Sequence, residues 1–374
     1  MQINTNTTGM AAALTVATDK HGRDHCVLVV KGTFDVRDDG EARPSEVQEP
    51  LILADVPFGD PETSGIKYEC EFSLHKPRAD LIVNGKAIAP GGKPAKDVMV
   101  ALECGTLRKE VRVFGDRHWE KGILSFTATE PVPFLEMPLR FERAFGGSDH
   151  SHESPKYHGT EMRNTLGVGF RKNSDGVAIE GAPLPNLEHP KKRMQSWSDT
   201  PPPMGFGVVG RNWQPRSKFA GTYDQRWLDD RFPFLPEDFD DQYFQSAPAD
   251  QQTAYFQGGE VVRCWNMTSE GTFEVNVPGF DLPVRFRFRD HDVAKMPTLD
   301  TLIVEPDLKR VLAIWRASVP LGRKLNALRE VVVGPQPTVK TVPRTLAKQR
   351  FQSLEELAAW NRARGGPSPR KPQV

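Results

Sequence analysis

The sequence is poor in most features that announce a chemistry. Its 374 residues hold four cysteines, Cys26, Cys70, Cys104 and Cys264, far apart and without C-x-x-C spacing. That usage predicts reduced, buried thiols of the kind found in cytosolic proteins. There is no excess of charge: 49 basic residues face 49 acidic ones, a formal net of zero. Nothing global therefore points to nucleic acid or to a membrane surface as partner. No stretch reaches the roughly 18 apolar residues of a membrane-spanning helix. The first residues, "MQINTNTTGMAAALTVATDK", lack a basic n-region, and their apolar run is short and broken by threonine. A signal peptide is not expected, and the cytoplasm is the expected location. There is no P-loop, no G-x-S-x-G elbow and no internal repeat with a period of roughly 20 to 50 residues.

What is plentiful is punctuation. The chain carries 31 glycines and 32 prolines, above ordinary globular usage, which favours turns and short strands over long helices. Residues 10–130 read as antiparallel β-structure. "HCVLVVKGTFDV" reads as a strand pair with Gly32 as a kink or bulge. "ADLIVNGKAIAP" places Asn84-Gly85 between apolar runs, a hairpin signal. "DVMVALECGTLRKEVRVF" gives two strands about Gly105. Residues 131–260 are loop-rich, with clustered prolines, yet hold too many aromatic residues for a disordered linker. "TYDQRWLDDRFPFLPEDF" predicts a short helix ending before Pro233. Strands return over 261–340, where "TLIVEPDLKRVLAIW" reads as a hairpin. The expectation is a mainly β protein: antiparallel, sandwich-like sheets wrapped by the loop-rich segment, one large domain over 1–345. Residues 346–374 form a basic tail. In it Ser353 and Glu356 make a capping box, and Leu354, Leu357 and Trp360 follow at helical spacing, which predicts a short C-terminal helix that docks on the body or on a partner.

Charge is balanced globally but not locally. Tyr223 to Asp250 holds eight acids and two bases, and Lys340 to Val374 holds eight bases and two acids. These are either two solvated stretches or two docking surfaces of opposite sign. The paired acids Asp229-Asp230 and Asp240-Asp241 read as loop acids rather than as an acid–base pair.

Three motifs bear on function. "GFGVVG", Gly205 to Gly210, matches G-x-G-x-x-G, but three prolines precede it and Pro215 follows, so the strand and helix a dinucleotide site needs are not expected. His150, His152 and His158, with Asp149 and Glu153, suggest a metal loop. "HESPK" lacks a second histidine at i+4, however, and Pro155 interrupts any helix. No metal or cofactor is expected. The third is "MPLRFERAFGG", residues 137–147. If extended, Arg140 and Glu142 face one side and Leu139, Phe141 and Arg143 the other. It is either a conformation-fixing corner or an exposed arginine–aromatic patch of the kind favoured at interface hot spots.

Taken together with "RNTLGVGF", "PLPNLE", "GFGVVGRNWQPRSKFAGTYDQRWLDDRFPFLPEDFDDQYFQSAPADQQ" and "KPRADLIVNGKAIAPGGKPAKDVMVALECG", this corner resembles the DUF2169 family over about residues 10 to 310. Its members occur in Gram-negative bacteria beside type VI secretion genes. The resemblance implies a non-enzymatic cytoplasmic adaptor, or effector chaperone. Such a protein binds a toxic effector and promotes its loading onto the trimeric spike or its PAAR-type tip. No catalytic residues come with it. The matching positions are Arg140, Arg143, Phe145, Gly146, Gly147, Asn164, Gly167, Gly169, Phe170, Trp213, Arg216, Gly221, Tyr223 and Trp227. The glycines, Asn164 and Phe170 are expected to shape the fold. Arg140, Arg143, Phe145, Trp213, Arg216, Tyr223 and Trp227, with Asp240 and Asp241 steering a basic partner, are expected to bind. The alternative is a hydrolase, possibly metal-dependent, using the His150–His158 loop. Oligomeric state is left open.

Overall fold

Residues 24–36 form one continuous strand of thirteen residues, Asp24–Val36. It is the spine of a seven-stranded sheet in the computed structural model, which describes residues 2–322 and 327–335. The strand runs straight through Gly32, contrary to the expected strand pair. A Cβ at that position would lie 2.6 Å from both the Met10 sulfur and the Phe34 ring, so the glycine admits close packing and makes no turn.

Across that sheet the order is Gln252–Thr253, Ala79–Val83, Thr298–Glu305, Arg310–Pro320, Asp24–Val36 and Ala11–Thr18, with Ala42–Pro44 also on Asp24–Val36. Neighbours are antiparallel except Ala79–Val83 with Thr298–Glu305, which are parallel. A five-stranded antiparallel sheet follows the order Leu187–Glu188, Leu107–Phe114, Asp97–Cys104, Val261–Trp265 and Thr272–Asn276. A four-stranded sheet contains Ile3–Asn6, Leu328–Val333, Val284–Phe288 and Asp292–Lys295. The fold is mainly β, as expected. The early and late β-rich stretches are partners within the same two larger sheets: Asp24–Val36 pairs with Arg310–Pro320, and Asp97–Cys104 with Val261–Trp265.

Two hairpins form where local signals predicted them, Cys104 to Leu107 about Gly105 and Glu305 to Arg310. The expected hairpin at Asn84-Gly85 does not form. Ala79–Val83 is buried along its whole length and pairs with Thr301–Val304, while Lys86–Ile88 leaves to pair with Glu136–Pro138. Burial on both faces of a central strand outweighs the turn signal of two residues.

Alternation along the spine sorts the core. Cys26, Leu28, Val30 and Phe34 face an inner layer that includes Val100 and Val111 of the five-stranded sheet and Phe286 and Val331 of the four-stranded sheet. Val27 and Val29, with Ile82, Ile303, Leu312 and Ile314, face outward and are covered by Tyr68, Phe72, Val208 and Ala247. A sheet buried on both faces explains unbroken apolar runs such as "CVLVV". Each fully buried side chain of this kind contributes about 1.5–3 kcal/mol.

The loop-rich segment is ordered by short 3-10 turns, paired bridges and a third cluster built on Trp119, Phe145, Ile179 and Leu184. The expected short helix is Gln225–Asp230, capped by Asp224. The expected tail helix lies outside the described residues.

Candidate partner-binding face

The corner "MPLRFERAFGG" is rigid, and it is not extended. Phe141–Arg143 is a 3-10 turn, so the side chains do not alternate as a strand would make them. Asn164, fully buried, donates from Nδ2 to the Phe141 carbonyl at 2.8 Å and to the Phe145 carbonyl at 3.0 Å. Gly146 and Gly147 have φ of 155° and 87°. A Cβ on Gly146 would lie 2.1 Å from the Asn164 carbonyl oxygen, and one on Gly147 2.2 Å from that of Gly167. Only glycine fits where backbones approach so closely. Gly169 packs against Pro185 and Met194, Phe170 meets the Phe145 ring edge-on, and Gly221 lies against Asp238 and Pro236.

The structure separates the expected binding residues into two groups. Phe145 is 1% exposed and Trp213 3%, and Arg216 is buried as well. Trp213 stacks edge-on against Phe141 at 5.4 Å and donates from Nε1 to the Thr165 hydroxyl. Arg216 donates to the carbonyls of Tyr243 and Val209 and pairs with Glu69 at 2.6 Å. All three are engaged in tertiary contacts, and Arg216 also lines a proline-walled groove. Arg143 is half-buried and donates to the Asn186 side chain at 3.1 Å. Asp240 caps the turn Asp241–Phe244 by accepting from Gln242 N at 2.8 Å, with Asp241 half-buried inside that turn. Arg140, Tyr223 and Trp227 remain accessible, Trp227 in part.

Tyr223 and Trp227 belong to an arm, residues 221–240, whose two ends meet at one place on the body. Thr222 closes its base by donating from N and Oγ1 to Asp238 at 2.9 and 2.7 Å. Asp240 N donates to the Phe219 carbonyl at 3.0 Å. Inside the arm, Trp227 Nε1 donates to the Phe234 carbonyl at 2.8 Å. The Trp227 ring lies 4.8 Å from Tyr223 and 5.6 Å from Phe232. Tyr223 is 54% exposed and Phe232 65%, with Leu228 and Phe234 also open. Asp224, Asp229, Asp230, Glu237 and Asp238 are exposed around them. Among the described residues, these acids have one loose pair, Arg226 to Asp230 at 3.9 Å.

Beside the arm runs a groove of about 380 Å³, walled by Pro202, Pro203, Pro215 and Pro248, with Phe141 and Phe219 in its lining. Sequence reasoning noted the proline run but missed the groove, whose walls come from four separate loops. Behind it, Asp80 is completely buried and ties down the chain that follows the arm. It accepts from Ser246 N at 2.8 Å, Ser246 Oγ at 2.9 Å, Gln245 Nε2 at 2.7 Å and Lys76 Nζ at 2.7 Å. Burial opposes the charge on Asp80, but Lys76 and Ser246 outweigh it and hold the carboxyl below its ordinary range.

The histidine loop is a built turn. His152 Nδ1 accepts from Ser154 N at 2.9 Å, and His158 Nε2 donates to the His152 carbonyl at 2.7 Å. Burial works against the charge on Asp149, yet donors from Ser151, Lys172 and Asn173 pull its pKa down to about 2. Among the described residues, no group of three or more His, Cys, Asp or Glu side chains is placed to hold a metal ion. No helix there is long and apolar enough to cross a membrane.

The profile of the family described as "Uncharacterized protein conserved in bacteria (DUF2169)" matches residues 21–316, which include the corner, the groove and the whole arm. The chain belongs to this family. No curated protein and no solved structure matches it. Within the DUF2169 match, the corner glycines and Asn164 form one knot, and the accessible aromatic side chains lie together in the arm.

Proposed function

We propose that this DUF2169 protein is a cytoplasmic, non-enzymatic adaptor. It binds a type VI secretion effector and promotes its loading onto the spike or a PAAR-type tip. The observation that carries the reading is the arm: an edge-to-face stack of Tyr223, Trp227 and Phe232, open to solvent and ringed by acids, beside a proline-walled groove. Exposed aromatic anchors supply buried area in a complex, and the surrounding carboxylates steer a basic partner and set its orientation. The secretion context comes from the resemblance drawn from the sequence motifs.

Mechanistically the adaptor works by rigid presentation. The Thr222–Asp238 closure and the Asp80 anchor fix the arm's base, so little ordering cost is left for the moment of binding. The test is deletion of the gene in a strain with an active secretion system. The effector encoded nearby should disappear from the secreted fraction while a structural tube protein is still secreted. Unchanged effector secretion would end the adaptor reading.

A further inference from the structure

Arg140 and Phe141 are adjacent in sequence but serve different cavities. Phe141 lines the groove, whereas Arg140 lines a separate pocket of about 260 Å³ on the other side of the corner. Its guanidinium lies 4.2 Å over the Phe58 ring. Among the described residues that guanidinium has no ion pair and no hydrogen bond, unlike Arg143, which donates to Asn186. An arginine propped on an aromatic face with its donors unspent is pre-organised for an incoming planar anion.

The charges around it specify which anion. Lys67, Lys86 and Arg140 line the pocket together with Glu305 and Asp307. Lys86 is spent on Glu136 at 3.0 Å and Asp307 at 3.7 Å. Glu305 is spent on the Tyr68 hydroxyl and on Arg310. Lys67 is only loosely engaged, 3.9 Å from Glu305, and its ammonium sits over Tyr68.

We propose that this pocket is a carboxylate-binding site, in which Arg140 and Lys67 grip one carboxylate of a ligand. A group with a single negative charge matches the unpaired Arg140 guanidinium. A phosphate dianion would meet Glu305 and Asp307 with one charge too many. An acidic side chain of a protein partner and a small free carboxylic acid present the same chemistry. The inference does not depend on the adaptor reading, since its test contains no effector.

The test is a titration of the full chain, followed by the arginine Nε–H and backbone amide resonances. The probes are N-acetylglutamate methylamide, its glutamine analogue, succinate and the tripeptide Gly-Glu-Gly. The Arg140 Nε–H signal should shift saturably with the glutamate probe and stay still with the glutamine analogue. Lys67→Gln should weaken the response about tenfold. In Arg140→Ala the Gly85 amide, in the pocket lining, should cease to respond while the rest of the spectrum is retained. Succinate matching the glutamate probe assigns the site to free carboxylates. A response to the glutamate probe and to Gly-Glu-Gly but not to succinate assigns it to a partner's acidic side chain. No response at Arg140, an equal response to the glutamine analogue, or equal shifts at many surface arginines would overturn the proposal.

Discussion

Asp80 and Asp230 are both aspartates near a basic residue four positions away, yet one is architecture and the other is surface. Asp80 is fully buried, 2.7 Å from Lys76, and accepts from Gln245 and Ser246 as well. Asp230 is exposed and 3.9 Å from Arg226. The same contrast separates the aromatic residues. Phe145 and Trp213 are enclosed behind the groove, while Tyr223 and Phe232 stand open in the arm. The outer face of the seven-stranded sheet carries buried charges that tie its covering loop down: Lys31 pairs with Glu71 at 2.7 Å, and Arg316, itself paired with Asp300, donates to the Glu71 carbonyl at 2.6 Å. In the arm, among the described residues, the carboxylates are exposed and form only the loose ion pair of Asp230 with Arg226. One region spends its charges on holding shape, and the other leaves them exposed to solvent.

Breaking the anchor should have the largest effect. Asp80→Ala leaves Lys76 buried without its partner and should cost about 3–5 kcal/mol in chemical denaturation. A loss no larger than that of a surface substitution would show that the arm's base is not fixed this way. Next comes the arm itself. Tyr223→Ala and Phe232→Ala should each weaken partner binding by about 2 kcal/mol, measured by calorimetry, with the unfolding midpoint unchanged.

Acid stability sharpens the contrast between buried and exposed carboxylates. Asp149 is held at about 2 in the folded chain, below its ordinary 3.8. A depressed folded pKa contributes stability that is fully present above the unfolded value and is lost as pH falls through the folded one. Asp149→Asn should therefore cost about 1–2 kcal/mol at neutral pH and flatten the acid limb between about 4 and 2. Asp229→Asn and Asp230→Asn, at exposed positions, should cost little stability at neutral pH, and equal losses from all three would erase the distinction. The smallest effect is kinetic. Charge reversal at Asp229 and Asp230 should slow association a few-fold at low salt, and the difference should fade as salt screens it.

Where a signal was local, the sequence was legible. Gly105 and "EPDLKR" make the hairpins they predict, and Pro233 follows the short helix as expected. Where the deciding contact was distant, the reading failed. Asn84-Gly85 is a good turn pair, but the strand before it finds a parallel partner more than 200 residues away. Gly32 looked like a kink because the Met10 and Phe34 side chains that need its space are invisible in a pattern of strand residues. At the site, residue type drew attention to the right segment but could not sort it. Trp213 and Trp227 differ only in what packs on them, Phe141 for one and Tyr223 and Phe232 for the other. The unpaired state of Arg140 was equally hidden, since it depends on Phe58, eighty-odd residues earlier.

The most direct test of the arm as a partner-binding face is co-purification. Tagged wild-type protein and the Tyr223→Ala/Phe232→Ala variant would each be expressed with the neighbouring effector and spike proteins. The account predicts that wild type retains the effector and that the variant, equally stable, loses it. Retention of the effector by both proteins, or by neither, would contradict it.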